Sequence, residues 1–443
     1  MRPVRVRDPI HNFVELEPAE VAAIDSPVFQ RLRGIKQLAM TNLVYPGALH
    51  TRFEHSLGVC HIAGKLADEL ELDPDLRRVV RAAALLHDVG HGPFSHVSEA
   101  VLDIRAGVSN VHEAISVAIM HGDKHLHAAL GEDVCKRAAD LVGHKGEFSV
   151  RTVARDIVSG PSDADKLDYL LRDSYFAGVN YGKYDLNRLL DTATVIKDGP
   201  QTQLGFEADG VWAVEGLLLA RHHMHRQVYG HKTRVATDIM VQRALALGID
   251  EGAINADAFT VPVDQGRPTP TPTFLERYLE NDDATVMRHL LTQNDATDSR
   301  DMAERLATRR LFRRYAHVSL EDMRGSLGGP RLGRLLDPER MASKIPDLEA
   351  AIATDLDCPA HHVALKIEEP GNPVHRNPGA GIGPKDILLK FDDREPDLIE
   401  ETSEIFRNAT EPNKRFASVY LAKTDATTDD KVKDLLCRIL MTV

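Results

Sequence analysis

LLHDVGHGPFSH, residues 85–96, decides how the rest of the chain is read. A helical segment over 75–88, with Leu76, Val79, Val80, Ala83 and Leu86 on one face, runs into an adjacent His87-Asp88 pair and then Gly90-His91-Gly92. A carboxylate at the end of an apolar helix costs on the order of several kcal/mol to bury unless a cation or donors meet it. Glycines on both sides of His91 let the backbone approach a ligand closely. A single helical histidine is ordinarily structural, but a His-Asp pair followed by Gly-His-Gly points to metal chemistry.

Two further helices bring partners. Residues 53–70 carry Leu57, Ile62, Leu66 and Leu70 on one stripe, with Thr51 or Arg52 near the start and His55 in RFEHSLGV. Pro161-Ser162 opens another helix, which carries SDADKLDYLLRD (162–173) and stops at Gly178. A long helix is expected from about Trp212 to Leu247, after a hairpin over 194–213 with its turn at Asp198-Gly199-Pro200. Pro/Gly-rich stretches at 261–274, 324–334 and 368–386 punctuate the remainder, the first and third long enough for exposed loops or linkers. After about 345, VALKIEE (363–369) and DILLKF (386–391) read as strands, and DDKVKDLLCRIL (429–440) as an amphipathic helix. The expected fold is mainly α: a helical core over 1–255, a helical continuation with linkers over 256–345 and a smaller C-terminal α/β lobe over 346–443.

Composition narrows the class. With 54 basic and 67 acidic residues in 443, the net charge is −13, which disfavours nucleic acid as a partner. Hydrophobic residues at 43% and charged residues at 27% exclude a disordered or fibrous chain. No apolar run approaches the roughly 20 residues of a membrane helix, so no membrane role is expected. Cys60, Cys135, Cys358 and Cys437 lie far apart, which excludes a cysteine zinc cluster and fits a reduced cytoplasm.

His55, His87, Asp88 and Asp165 together would make a site of two histidines and two carboxylates. That donor set suits Mn, Fe, Co, Ni or Zn, and Mg less well. Four protein ligands on an ion that prefers six leave positions for water and a phosphate oxygen. Asp165, Tyr169 and Asp173 fall at i, i+4 and i+8, one helical stripe. Arg221, His225 and Tyr229 repeat that spacing; Arg, His and Tyr make a poor core face and a reasonable face for phosphate and sugar, with a solvated surface as the alternative. Two other features read more plainly. RRLFRR (309–314) is expected as a helix with a solvated basic face. His361-His362 beside Cys358 makes a poor chelate and reads as a loop.

TRFEHSLGV, HDVGHGPFSH, DADKLDYLLRDS and ARHHMHRQVYGHK, in this order, resemble the HD-domain phosphohydrolases and, within them, the SAM-and-HD-domain type deoxynucleoside triphosphate (dNTP) triphosphohydrolases. DPIHNFVELEP (8–18), IDSPVFQRLRGIKQL (24–38) and YPGALHTRFEHSLGV (45–59) match the same family, and the resemblance is dense over about 5–245. No SAM domain is expected before residue 5. The resemblance implies the four metal ligands above. It implies that His91, His96 and His112 surround the phosphates, with His112-Glu113 and Glu99 as a proton relay; Glu99 stands where the family has Asp. Arg52, Lys166, Tyr169 and Arg221 would contact phosphates and base, Gln37 and Asp173 the sugar 3′-hydroxyl, and Leu38 and Tyr229 would exclude a ribose 2′-hydroxyl.

The implied reaction is attack of water on the α-phosphorus of a dNTP, giving deoxynucleoside and triphosphate. His112 or His96 would protonate the departing O5′. The family also implies a homo-oligomer, tetramer or dimer, with allosteric activation by GTP or a dNTP. Asp25, Gln30, Arg33, Arg188 and Lys232 match the activator positions, although Glu207 and Asp209 put acid where basic residues are expected. Two other classes compete. One keeps the metal and takes a different phosphate ester, as a phosphodiesterase, nucleotidase or nuclease. The other is a degenerate binding module, which loss of a metal ligand would have favoured; all four are present.

Overall fold

A computed structural model describes residues 3–198, 201–293, 296–323, 325, 328–368, 386–406, 415–423 and 427–442. The turn expected at Gly199-Pro200 and nearly all of the Pro/Gly stretch over 368–386 lie outside these residues. Mainly α is what the chain is, with small sheets. Two compact units form, and they interleave along the chain: one takes residues 1–224, 255–288 and 374–410, the other 225–254, 289–373 and 411–443. Consecutive segments were the sequence expectation.

In the first unit, helix Arg52–Glu69 packs between helices Pro74–Leu86 and Ala164–Ala177. Each start is set locally. Asp73 caps the second helix by accepting from the Asp75 and Leu76 N–H groups at 2.9 and 3.4 Å, with Pro74 in the first turn. Asp163 caps the third through the Lys166 N–H at 2.8 Å, and Gly178 ends it with φ +71° in the left-handed region. Gly58 is required by close approach: a Cβ there would run into the Asp168 carboxylate and the Arg172 guanidinium. An N-terminal hairpin, Val4–Asp8 with Asn12–Leu16, closes this layer antiparallel, Asp8 opposite Asn12.

The hairpin of the 190s and 200s is present as Ala193–Asp198 and Gln201–Glu207. DILLKF, expected in the C-terminal lobe, instead adds Leu388–Lys390 to this hairpin in parallel, Phe206 opposite Leu389. Buried Leu388, Leu398 and Ile196 form the reason, a small apolar cluster of their own.

The second unit is the α/β one. Its three antiparallel strands run Arg313–Ser319, Phe416–Leu421, Val363–Glu368 in spatial order, and Leu365, Val419, Leu435 and Leu436 share its core. Two expectations are corrected here. RRLFRR does not form a helix; Arg309 has φ +56°, and a strand starts at Arg313 with Tyr315 and Ala316 buried. Cross-strand pairing with Phe416–Leu421 overrides the helical propensity of arginine and leucine. The long helix of 212–247 is three pieces: Val211–Met224, a π turn over His225–Tyr229, and Lys232–Asp250. The Gly230 N–H reaches back to the His225 carbonyl at 2.8 Å, an i to i+5 bond that resets the helical phase. Among the described residues no helix is long and apolar enough to cross a membrane.

Candidate metal centre and proton relay

His55 and His87 are held so that one ring nitrogen of each is left over. Nδ1–H of His55 donates to Asp168 Oδ2 at 2.8 Å, and Nδ1–H of His87 donates to the Ala84 carbonyl at 2.8 Å. These bonds fix the tautomers and leave each Nε2 with a lone pair. Both Nε2 atoms are buried and have no hydrogen-bond partner among the described residues. Around them stand the expected carboxylates. His55 Nε2 is 3.0 Å from Asp165 Oδ1, off the line of a hydrogen bond, and 3.6 Å from Asp88 Oδ2; His87 Nε2 is 3.3 Å from Asp88 Oδ1 and 3.8 Å from Asp165 Oδ1. The donor atoms of His55, His87 and Asp88 all lie within 4.8 Å of one another. Two orphaned imidazole nitrogens facing two carboxylates fit a borderline divalent ion.

The electrostatics agree. Burial alone would lower the His55 imidazole, but Asp165 and Asp168 raise it to about 10, a field that attracts a cation. Burial opposes ionisation of Asp88, yet the Arg52 guanidinium beside it and His87 hold it well below the usual carboxylate range. Asp165 is likewise kept low, against burial, by His55 and His87.

Behind His55 lies a network that the sequence reading missed. Asp168 also accepts from His11 Nε2 at 2.6 Å and from Arg172 Nε and Nη2 at 2.7 and 2.9 Å, while Arg172 Nη1 reaches Asp8 at 2.9 Å. The N-terminal hairpin thereby clamps His55, a candidate metal ligand. The signal was present in DPIH and DKLDYLLRD, but the partners are 157 and 164 residues apart and no periodicity links them.

Beside the metal ligands sits the second cluster, His91, His96, Glu99 and His112, its donor atoms again within 4.8 Å of one another. His91 Nε2 is 3.3 Å from Asp88 Oδ1, and the His91 ring stacks on His112 at 4.0 Å. Burial, with Arg52 and His112 nearby, pushes His91 well below its ordinary value, so it stays neutral. Glu99 accepts from Nδ1 of His96 at 3.0 Å and from Nδ1 of His112. Burial would raise its carboxyl, but these two bonds hold it well below the usual range. Glu113, expected in the relay, is exposed, and His112 turns to Glu99 instead.

The loop of His91–His96 is bent at Phe94 and Ser95, with φ of +61° and +56°. Three bonds hold that strained backbone: Asp283 accepts the Phe94 N–H at 2.6 Å, Ser95 Oγ donates to the Lys36 carbonyl at 2.7 Å, and Arg52 Nε donates to Ser95 Oγ at 2.8 Å. Burial pushes Asp283 up to about 6 despite the Phe94 and Lys36 N–H groups it accepts.

Other expected residues divide. Gln37 and Leu38 are buried; the Gln37 N–H bonds the His50 carbonyl at 3.0 Å, and Gln37 Oε1 is buried with no hydrogen-bond partner. His50, not foreseen, donates from Nε2 to Asp173 at 2.7 Å, tying the two sugar candidates together. Tyr169 lies in the field of Arg221, Asp165 and Asp173. Lys166 is not turned to the metal; its Nζ bonds Asp163 Oδ2 at 2.5 Å and the Gly160 carbonyl at 3.1 Å. His225 and Tyr229 pack ring against ring at 5.2 Å in the π turn of the second unit, so the stripe expected from Arg221 is broken.

Of the activator candidates, Arg33 bonds Gln30 at 2.9 Å and lies 3.5 Å over the Phe53 ring, while Asp25 is exposed. Arg188 pairs with Asp209 at 2.6 Å, and Glu207 pairs with Lys390 at 3.0 Å, so each unexpected acid has a base. Lys232 is exposed at the start of its helix.

Comparison with known proteins places this geometry. An HD domain matches residues 52–173 and an HD associated region matches 184–266. The uncharacterized protein YwfO of Bacillus subtilis is 32% identical over 337 residues, covering 72% of this chain and 73% of YwfO. The uncharacterized protein MJ1154 of Methanocaldococcus jannaschii is 41% identical over 251 residues, 56% of this chain and 50% of its own. Human SAMHD1, a deoxynucleoside triphosphate triphosphohydrolase, is 34% identical over 273 residues, 54% of this chain and 44% of its own. The chain thus spans about half or less of MJ1154 and SAMHD1. A phosphohydrolase crystal structure from Bacteroides thetaiotaomicron shares the fold, with a TM-score of 0.72 at 24% identity, over 95% of this chain and 100% of that one.

Proposed function

Because the chain belongs to the HD-domain phosphohydrolase family, we propose that it hydrolyses dNTPs at the α-phosphorus to deoxynucleoside and inorganic triphosphate. One observation carries the reading: a two-histidine, two-carboxylate metal centre adjoins a relay in which one ionised acid orients two imidazoles. The triphosphohydrolase name of the SAMHD1 relatives supports the substrate class.

Held by His55, His87, Asp88 and Asp165, a divalent ion supplies polarisation of phosphoryl oxygen and acidification of water. The chain's own residues do the rest. Arg52 keeps Asp88 ionised and, through Ser95, holds the loop carrying His91. Neutral His91 donates a hydrogen bond to phosphate without adding charge. Glu99 takes the Nδ1–H of His96 and of His112, which leaves their Nε2 atoms to face the ester. Water attacks phosphorus and loses its proton to Nε2 of one of these imidazoles, while the other, entering the step with both nitrogens protonated, gives its Nε2 proton to O5′ as the P–O5′ bond breaks. Arg221 and Tyr169 contact phosphate and base, and Asp173 and Gln37 take the 3′-hydroxyl. Leu38 adds bulk against C2′, which disfavours ribose. The same reading carries a homotetramer activated by GTP or a dNTP at Asp25, Gln30, Arg33, Arg188 and Lys232.

The test is product analysis with Mn²⁺ or Mg²⁺ and each dNTP and rNTP, with and without GTP, alongside sedimentation of the same samples. Deoxynucleoside plus intact triphosphate supports the proposal; pyrophosphate or orthophosphate as first product overturns it. The ion pair of Lys166 with Asp163 favours a second reading, a phosphate ester of lower charge, for which turnover of a diester and of no triphosphate would be the result.

A further inference from the structure

The second unit holds another cluster of histidine and aspartate. Helix Asp298–Ala307 presents Asp298 and Asp301 on its first turn, and the short turn Ala360–His362, just before strand Val363–Glu368, presents His361 and His362. His361 Nδ1 is 3.1 Å from Asp298 Oδ2 and its Nε2 is 3.3 Å from Asp301 Oδ2. His362 Nε2 is 2.7 Å from the same Asp301 oxygen. The two rings are 4.3 Å apart and tilted by 74°, and the donor atoms of Asp301, His361 and His362 lie within 4.8 Å of one another. All four residues line a cavity of about 590 Å³, open on one side.

We propose that Asp301, His361 and His362 hold a second metal site, backed by Asp298 on Nδ1 of His361, for a borderline divalent cation of the Zn²⁺, Co²⁺ or Ni²⁺ type. Chemistry at His361 points to it. A neutral imidazole has one N–H, yet both nitrogens of this ring face carboxylate oxygens; with Nδ1–H given to Asp298, the Nε2 lone pair meets Asp301 unless a proton or a metal ion stands between them. Charge at the cavity points the same way. Arg305 answers Asp301 at 2.7 Å and Arg300 answers Glu304 at 2.9 Å, which among the described residues leaves Asp298 paired with the imidazole of His361. With two nitrogens and one carboxylate the set matches borderline ions and is poor for Ca²⁺ or Mg²⁺. Arg305 Nε donates to that same Asp301 Oδ2 at 2.7 Å, so a cation bound there shares the oxygen with the guanidinium. Adjacent histidines succeed as ligands here because the tight turn tilts their rings onto one oxygen. The site ties the start of the Asp298–Ala307 helix to the strand that follows His362, and is independent of the centre at His55.

Co²⁺ titration of the tag-free full-length protein, read by bound metal per chain and by d–d absorption, tests it. Wild type is expected to bind one equivalent more than His361→Ala/His362→Ala, and Asp298→Asn/Asp301→Asn to weaken that equivalent at least tenfold. Circular dichroism and Mn²⁺-dependent turnover check that the variants are folded. Equal Co²⁺ content in wild type and in whichever pair of substitutions folds would overturn the site, whatever the enzyme's substrate.

Discussion

The two clusters of histidine and aspartate differ in what stands behind them. At His55 the ligand ring is fully buried, and Asp168, Arg172, His11 and Asp8 lock its orientation before any ion arrives. At His361 and His362 the rings keep 12% and 15% exposure, and the acid they share, Asp301, is also held by Arg305 at the edge of a cavity. A centre that must polarise a phosphate in the same geometry at each turnover needs the first kind of support. A clamp that only fastens a helix to a strand can do with the second.

The largest expected break of that contrast is Asp88→Ala. It removes a carboxylate facing both ligand imidazoles and strands Arg52, so turnover should fall by about 10³-fold or more, measured as triphosphate release. If activity survives, the centre at His55 is no more than structural. Next comes Asp168→Asn, which touches no substrate in the proposed reaction. Loss of the charge behind His55 should weaken active-site metal by roughly 10–100-fold. Because it leaves Arg172 buried beside a neutral amide, it should also cost about 3 kcal/mol in urea unfolding. Metal affinity unchanged in Asp168→Asn would erase the difference between the two clusters. Glu99→Gln should lower kcat by about 10²-fold with KM and metal content little changed. Since His112 and His96 hold the wild-type carboxyl well below its ordinary range, the acid limb of the wild-type pH profile should show no titration of Glu99 near pH 4–5.

The smallest effect is on stability. Asp283 is raised to about 6 in the folded chain against an ordinary 3.8, so the native state holds its proton longer than the unfolded one. Its contribution is full below pH ~4 and is lost as the pH rises through about 6, by roughly 1–3 kcal/mol. Melting curves of wild type and Asp283→Asn should therefore differ in the variant's relative favour at pH 7 compared with pH 4. A pH-independent difference would mean that the carboxyl is ionised throughout.

The candidate ligands His55, His87 and Asp88, which the fold brings together, were legible because His-Asp adjacency and Gly-His-Gly are local. The stop at Gly178 was readable for the same reason, whereas the helix opens at the Asp163 cap and not at Pro161-Ser162. His50, Asp283 and the Asp168 network were not, since each acts across 100 residues or more and leaves no periodic trace. Local reading also misled. RRLFRR carries helix formers, yet its later residues join a strand; His225 and Tyr229 keep i+4 spacing through a turn that is not α. His361-His362, read as a loop, does lie in a short turn, but the acids it meets come from residues 298–301, which no local reading supplies.

The interleaving of the two units has a consequence for synthesis. A nascent chain of 224 residues already carries His55, His87, Asp88 and Asp165, but it lacks the carboxylate, 189 positions beyond Phe94, that fixes the backbone of the relay loop. Ribosome-bound intermediates of that length can collect the ion's ligands and still leave Phe94 and Ser95 unrestrained. The order in which the polypeptide emerges therefore withholds a finished relay until residue 283 has cleared the exit tunnel.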